Sequence, residues 1–188
     1  RELLGKLLIR RQGRQLLAGR IVEAEAYLGA ADPASHSYSG LTPRNAVIFG
    51  PPGHAYVYLI YGNHYCTNVS CMPDGEAGGV LLRALEPVYG LAEMAELRGA
   101  QLAADPTVAQ LRQLSTGPGR LSQALDITRD RDNGKDFTSL RSDLWFADDG
   151  YKVARVLATP RIGITKAVDN PLRFTIAGSR FVSGPRPR

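Results

Sequence analysis

The sequence contains little cysteine: Cys66 and Cys71 are the only two among 188 residues. Small secreted proteins held together by disulfides carry many more for their size, so this scarcity excludes that class and favours free thiols in a reducing compartment. A zinc site is also disfavoured, because His64, Cys66 and Cys71 have mixed strand parity and zinc needs three or four protein ligands. We predict no bound metal and no other cofactor.

Long apolar runs are absent as well. No stretch approaches the ~20 apolar residues that a helix needs to cross a membrane, and the first residues do not resemble a signal peptide. No repeat or linker divides the chain, so we expect a single domain over residues 1–188. The start at Arg1 leads us to expect a truncated natural N-terminus. We expect a monomeric, soluble protein of the bacterial cytoplasm that does not bind membranes.

The charge is positive and unevenly distributed. The net charge is +5, and the sequence pI is near 9.4. Residues 1–20 carry six basic and one acidic side chain, and residues 152–188 carry eight basic and one acidic. We expect the two ends to form one positive face or to flank one groove that binds a polyanion. Charge alone leaves both DNA and RNA open.

The segment Arg20 to Leu28 alternates as a strand does, where residues two apart share a face. One face is polar and carries Glu23, Glu25 and Tyr27. The other face is apolar and should enter the core; it consists of Val22, Ala24, Ala26 and Leu28. The polar face has two interpretations, a solvated strand edge or a carboxylate site for acid–base chemistry. The second gains from the turn-rich segment 32–37, which can fold His36 back towards the carboxylates.

A second segment, residues 54–68, contains four of the eight tyrosines. Aromatic and β-branched residues flank Gly62-Asn63, which predicts a β-hairpin with its turn at those two residues. Tyr61 lies at the mouth of that turn. Its ring either packs across its own turn or serves as a wedge between stacked bases. Carboxylates beside aromatic rings in a basic protein suggest acid–base chemistry on a flat ring attached to a polyanion.

The rest of the chain is read more coarsely. The pattern over residues 6–28 predicts a hairpin around Gln12-Gly13, and the pattern over residues 88–102 predicts a helix with one buried side. A short helix and loop are expected over 105–116, a surface excursion over 126–150, and closing strands after residue 151. Together these predict an α+β domain around a curved, mostly antiparallel sheet, with a protruding hairpin and flanking helices.

The segment Gly117-Pro118-Gly119-Arg120 should begin a helix that runs through Leu125. Backbone N–H groups at a helix start can bind phosphate, so a DNA contact is one interpretation and a packing turn is the other. The Walker pattern is absent, and nucleoside triphosphate binding is not implied.

Six blocks resemble the 3-methyladenine (alkyladenine) DNA glycosylase family, and they occur in that family's order. The blocks are VEAEAY, SHSYSGLTPRN, YVYLIYGNHYCTN, VLLRALEP, GPGRLSQAL and NPLRFTIAGS. They extend over nearly the whole chain, and six blocks in order are far more specific than any one of them. The resemblance implies the same α+β fold and an enzyme that acts on damaged purines in double-stranded DNA.

The resemblance also implies roles for individual residues. Glu25 matches the general base that activates the attacking water. Tyr27 and Tyr58 match aromatic residues that stack on the extruded base, and His36 matches a histidine that contacts it from the opposite side. Asn68 matches an asparagine at the pocket floor that helps to exclude guanine.

The remaining matched residues are implied to contact DNA. Tyr61 matches the residue that enters the minor groove and fills the gap left by the extruded nucleotide. Arg83 matches an arginine that holds the DNA backbone, and Arg44 is a weaker match to a phosphate contact. Gly119 and Arg120 belong to the glycine-rich segment. Strict alternation places Tyr58 and Tyr61 on opposite faces, so the hairpin must twist or open at Tyr61.

The implied reaction is hydrolysis of the N-glycosidic bond of an alkylated or deaminated purine. The four lysines fall outside the six blocks, so no amine nucleophile is expected in the pocket and the enzyme should be monofunctional. Two alternatives remain. Glu23 and Glu25 have the spacing of an inverting carbohydrate hydrolase, although carboxylates on one strand project in parallel. A non-catalytic nucleic-acid-binding domain, such as one that reads tRNA, leaves Glu25 without a role.

Overall fold

The structure is a computed structural model that describes residues 1–185. Its strands are β1 Leu7–Gln12, β2 Gln15–Tyr27, β3 Ala55–Ile60, β4 His64–Ser70, β5 Gly79–Tyr89, β6 Leu144–Ala147, β7 Val156–Thr159 and β8 Arg173–Ile176. Its α-helices are α1 Leu91–Leu97, α2 Val108–Ser115, α3 Pro118–Ala124 and α4 Arg129–Asp132, and short 3-10 helices span Gly29–Ala31 and Ala46–Phe49. The predicted α+β class is confirmed.

The described strands form one sheet in the order β3-β4-β5-β2-β1-β6, with β8 paired to β2 and β7 paired to β8. All these pairs are antiparallel. The long strand β2 pairs with β1, β5 and β8, and its register against β5 shifts on both sides of Glu23. Such irregularities bend a strand and increase its twist. The sheet therefore curves at the strand that carries the two predicted carboxylates.

The core lies between the sheet and helices α1 to α3. Leu17 and Ile21 of β2 are fully buried, as are Leu114 of α2 and Leu121 of α3. Burying a side chain of this size stabilises the fold by ~1.5–3 kcal/mol. The start of α2 is fixed by a capping box in which Thr107 and the third helical residue bond reciprocally, and α3 begins with proline, whose missing N–H is harmless there.

Two predictions of local structure need correction. The helix expected over 88–102 is limited to α1, because β5 continues through Tyr89 and Gly90 then turns the chain with a φ of 75°. A Cβ at Gly90 would lie 2.5 Å from the Leu16 carbonyl oxygen. The surface excursion expected over 126–150 is partly core, since Phe137 and Leu144 are fully buried and β6 pairs with β1.

The charged chain ends do not simply form a positive face. Arg10 is buried and pairs with Asp132, with 2.8 Å between Nη2 and Oδ2. Arg161 and Arg173 are also buried and pair with carboxylates. Buried arginines of this kind fix distant segments to one another, so less of the terminal charge is available to a ligand than the sequence predicted.

Among residues 1–185, no helix is long and apolar enough to span a membrane.

Candidate active site

A cavity of about 680 Å³ opens beside the middle of the sheet. Its walls come from the β3–β4 hairpin, segment 33–36, β5, the start of α3 and the loop over residues 162–166. Eight of the predicted site residues line it: Tyr27, His36, Arg44, Tyr58, Tyr61, Asn68, Arg83 and Gly119. The fold thus brings residues from segments far apart in the sequence together at one opening.

Glu25 lies directly behind the wall of this cavity and is fully buried. One carboxylate oxygen, Oε2, accepts a hydrogen bond from the Tyr27 hydroxyl at 3.0 Å. The other, Oε1, accepts from the Ile162 backbone N–H at 2.8 Å and lies 3.3 Å from Arg83 Nη1. All three partners line the cavity. The carboxylate is therefore held in a single orientation by groups that a bound ligand would touch.

Glu23 is also fully buried, which excludes the solvated strand edge. Its Oε1 accepts hydrogen bonds from Arg83 Nε at 3.1 Å, Arg173 Nε at 2.6 Å and the Ser183 hydroxyl at 3.0 Å. Its Oε2 accepts from the Ser183 backbone N–H at 2.5 Å. Both glutamates are thus engaged with arginine inside the protein, and they do not face each other across a cleft as an inverting carbohydrate hydrolase requires.

One wall of the cavity is aromatic. The His36 and Tyr58 rings meet edge to face with 4.5 Å between centroids, which is too close for a purine to enter between them. The Tyr56 hydroxyl is hydrogen-bonded to His36 Nδ1 at 3.0 Å. Desolvation lowers the pKa of His36, and the nearby Arg44 guanidinium lowers it further, so the imidazole is neutral at neutral pH. A flat ligand can therefore lie against this wall but not within it.

Tyr27 is held from two sides. Its hydroxyl bonds to Glu25, and the Arg161 guanidinium lies over its ring at 4.6 Å from the centroid. Burial raises the pKa of Tyr27, and the adjacent Glu25 carboxylate raises it further, so the phenol stays protonated and remains a donor. Arg161 in turn makes two hydrogen bonds to Asp32, in the loop that leads to His36. This ion pair ties the two sides of the cavity together.

Tyr61 stands at the tip of the hairpin. Ile60 pairs with His64, so the connection is the three residues 61–63, and the turn begins one residue earlier than predicted. Tyr61 has a φ of 53°, a left-handed conformation uncommon outside glycine, and its side chain is 85 % exposed. Because Tyr61 lies outside the strand, strand alternation does not place it on the face opposite Tyr58. The conflict between alternation and the implied roles of these two tyrosines is thereby removed.

The other predicted residues differ in how accessible they are. Asn68 is buried, and its amide donates to the Tyr56 carbonyl at 3.1 Å. Arg44 is exposed at the rim, 5.7 Å from the Tyr58 ring centroid. Gly119 packs against His64 so closely that a Cβ would lie 3.1 Å from the His64 ring, which favours the packing interpretation of that segment. Arg120 is exposed beside it.

Arg83 is engaged inside the protein. The sequence placed it on the DNA backbone, but it is only 8 % exposed and its guanidinium points inward to both glutamates. Its Nη2 also donates to the Ser183 hydroxyl at 3.3 Å. These contacts hold the Glu25 carboxylate at the cavity wall, and the contact of Arg83 with the DNA backbone stays a prediction.

Comparison with known proteins identifies the family of the chain. The model of the family described as methylpurine-DNA glycosylase matches residues 1–180. The chain belongs to that family. A relative from Koribacter versatilis is 63 % identical over 186 residues, which covers 99 % of this chain and 87 % of the relative. Relatives from Burkholderia cenocepacia (50 % identity, 100 % and 86 % covered) and Methanoculleus marisnigri (49 % identity, 97 % and 91 % covered) also match. All three bear the name 3-methyladenine DNA glycosylase.

Membership makes the chain a DNA glycosylase, which is a hydrolase of N-glycosyl bonds that serves DNA repair. The non-catalytic alternative is thereby excluded. The resemblance seen in the sequence is confirmed at the level of the family and of the activity on alkylated purines in DNA.

Several residues of the site were not anticipated from the sequence. Asp32 and Arg161 are 129 positions apart, and neither belongs to an informative spacing. Cys66 was predicted to be a free thiol without a role in the site, yet it lines the cavity and is hydrogen-bonded to the Tyr58 hydroxyl. Within residues 1–185, no group of three or more histidine, cysteine or acidic side chains is arranged to hold a metal ion.

The Asp32–Arg161 pair leads to a pH prediction. Burial raises the pKa of Asp32, but hydrogen bonds from Arg161 and from the Ala34 and Leu28 N–H groups outweigh it, so the net pKa lies below the ordinary value of 3.8. Its stabilisation is present above that value and is lost as pH falls below it. Asp32→Asn should melt earlier at pH 6 and show a smaller drop in melting temperature between pH 5 and 3 than the parent. Equal drops in both proteins would contradict this, and the exposed Asp105→Asn is the control.

Proposed function

We propose that this glycosylase rotates an alkylated or deaminated purine out of duplex DNA into the cavity, where Glu25 activates the water that cleaves the N-glycosidic bond. The observation that carries the proposal is the position of Glu25. Its carboxylate is joined to Tyr27 and Arg83, which line the same cavity as the aromatic pair His36–Tyr58. A base held against the rings therefore has its sugar close to the carboxylate.

The rings can offset part of the cost of extrusion. Taking a base out of the stack costs a few kcal/mol, and least for damaged or mispaired bases. Stacking on an aromatic side chain is worth ~1–3 kcal/mol per base. Tyr27 and Tyr58 present such surfaces, and a cationic alkylated purine gains additionally from the electron-rich ring faces. Neutral His36 adds no repulsion towards a positive base.

The proposed chemistry needs one general base. Glu25 takes a proton from a water molecule while the oxygen of that water bonds to the anomeric carbon. The bond between that carbon and the purine nitrogen breaks, and its electron pair leaves with the base. A cationic alkylated purine departs as a neutral base, whereas a deaminated purine departs as an anion that takes up a proton from solvent. An abasic site remains in the DNA. Tyr27 and the Ile162 N–H hold the two oxygens of the carboxylate in place meanwhile. The abasic site is the starting point for base excision repair.

We further propose that the enzyme is monofunctional, although the reasoning from the sequence needs revision. Lys166 does line the cavity, and its ammonium lies 6.0 Å from the ring centroid of Tyr38, which lies outside the lining. It is exposed at the rim, however, and belongs to the loop over 162–166 rather than to the wall that carries Glu25. Its position suits a contact with the DNA backbone better than attack on the anomeric carbon.

One assay tests these steps. A duplex that contains a single 7-methylguanine, or a single hypoxanthine, is incubated with the protein, and strand breaks are scored with and without alkali. We expect breaks only after alkali, and no covalent complex after borohydride reduction. Absence of base release from both duplexes would refute the proposed function. Breaks without alkali, lost again in Lys166→Arg, would refute the monofunctional assignment alone.

Salt dependence tests the interface with DNA. Binding that neutralises phosphates weakens with salt, with a log–log slope of ~0.9 per phosphate contact. Arg44→Ala and Arg120→Ala should each flatten the slope by about one contact, because both guanidinium groups are exposed beside the cavity. Arg83→Ala should leave the slope unchanged, since that guanidinium is engaged with glutamates. A flattened slope in Arg83→Ala would support the predicted contact of Arg83 with the DNA backbone, and the exposed Arg141→Ala is the control.

A further inference from the structure

Glu23 and its partners form a charge cluster that the proposed mechanism does not use. Four buried groups alternate in sign: Glu25, Arg83, Glu23 and Arg173. Arg83 joins the two glutamates, with Nη1 at 3.3 Å from Glu25 and Nε at 3.1 Å from Glu23. Arg173 contacts Glu23 at 2.6 Å. The cluster contains two negative and two positive side chains, and it is neutral as a whole.

Both carboxylate oxygens of Glu23 are hydrogen-bonded inside the protein. Four donors converge on its two oxygens, two of them from Ser183, and Ser183 also accepts from Arg83 Nη2. Arg173 is held in turn by the Thr159 hydroxyl and the Ser183 carbonyl. Arg83 is thus fixed from the side away from the cavity. Its remaining nitrogen, Nη1, is the one that reaches Glu25.

We propose that Glu23 is a positioning residue, which divides the Arg83 guanidinium between two carboxylates and so keeps Glu25 both oriented and able to accept a proton. The proposal rests on the assignment of Glu25 as the general base. A carboxylate that is the sole partner of an arginine is a weaker base, because the full positive charge of that arginine stabilises its anion. A carboxylate without that arginine would be free to turn from the cavity wall. Because Glu23 binds the other side of Arg83, Glu25 keeps its arginine partner without being the sole partner of that arginine.

The charged and titratable groups that face Glu25 are few, which makes the effect measurable. They are the Tyr27 hydroxyl from β2 itself, Arg83 from β5, the Cys66 thiol from β4 and Arg161 from the loop after β7. Burial raises the pKa of Cys66, and Tyr27 is a protonated donor, so neither changes charge near neutral pH. The charge near Glu25 is therefore set by Arg83, Arg161 and the groups that engage them.

The test is a cycle of two substitutions with opposite charge effects. Glu23→Gln leaves the cluster with one excess positive charge, which favours the ionised form of Glu25. In a plot of excision rate against pH, the rate rises from acidic pH to a plateau, and we call this rise the acidic limb. In Glu23→Gln the acidic limb should move to lower pH by about one unit, and the plateau rate should be ~10- to 100-fold lower than that of the parent. Arg173→Met leaves one excess negative charge, and its limb should move to higher pH. In the double variant Glu23→Gln/Arg173→Met neutrality returns, and the limb should return to its original position.

Single-turnover excision of 7-methylguanine from duplex DNA is measured for each variant, together with thermal melting. Asp132→Asn is the matched control, because Asp132 is equally buried and paired with Arg10 but lies outside the cavity lining. It should lower the melting temperature without moving the limb. A purely structural role of Glu23 predicts the same pattern for Glu23→Gln, and that result would overturn the proposal.

The remaining outcomes of the test separate the role of Glu23 from the proposed function. If Glu23→Gln does not fold, Arg173→Met carries the test alone, and a limb that stays in place refutes the proposal. Glu25→Gln is measured in parallel. Loss of excision in that variant together with unmoved limbs in the others refutes the role of Glu23 and leaves the proposed function intact. Retained excision in Glu25→Gln refutes both.

Discussion

Glu25→Gln is expected to reduce excision of a methylated purine by ~10²–10⁴-fold, the range typical for loss of a general base. The amide cannot accept a proton, yet it fits the same contacts. Its oxygen can face the Ile162 N–H and Arg83, while its NH₂ group can donate to the Tyr27 hydroxyl, which is able to accept. Melting temperature and binding to lesion DNA should therefore change little.

Glu23→Gln, the same substitution two residues away on the same strand face, is not a suitable control for this experiment. Both Glu23 oxygens face donors, namely the arginines and the hydroxyl on Oε1 and the Ser183 N–H on Oε2. In either orientation the amide NH₂ would meet another donor, which leaves buried polar groups unsatisfied. Asp132→Asn is the appropriate control. Excision by Glu25→Gln close to that of the parent would end the assignment of the general base.

The parts of the site that the sequence predicted are those that depend on local geometry. Glu25 and Tyr27 were placed on one face by the two-residue period, and their side chains are indeed 3.0 Å apart. The hairpin of β3 and β4 follows from alternation and a glycine in the turn. Strand periodicity and turn composition are properties of a few consecutive residues, so a single sequence contains them.

The parts that the sequence missed depend on contacts between distant residues. The partners of Glu23 are 60, 150 and 160 positions away. These contacts bury the polar face of β2, which the sequence alone allows to be exposed to solvent. The acidic stretch after residue 126 misled the prediction for the same reason, since Asp132 is buried against Arg10 and Lys135. Charge in a sequence indicates exposure only when no opposite charge folds against it.

Substitution of Tyr61 is expected to have the second large effect on excision. Its exposed position allows a role in DNA binding to be distinguished from a role in folding. The side chain is 85 % exposed, and its backbone has a φ of 53°. A left-handed conformation at a non-glycine residue costs on the order of 1–3 kcal/mol, which the surrounding structure must offset. Substituting this residue should therefore cost the fold little. Its replacement by glycine, which adopts that conformation without strain, should leave the melting temperature nearly unchanged.

Tyr61→Ser and Tyr61→Gly should nevertheless lose excision from duplex DNA, because the ring no longer fills the stack when the base is extruded. The loss should reflect a few kcal/mol of flipping free energy, and it should be smaller when the lesion lies opposite a mismatch, where stacking is already weak. Tyr89→Ser is the matched control, since Tyr89 is 62 % exposed but lies outside the cavity lining. Rates on paired and mispaired duplexes are measured beside thermal melting. An equal loss on both duplexes, or a large drop in melting temperature, would show that Tyr61 is a packing residue of the turn.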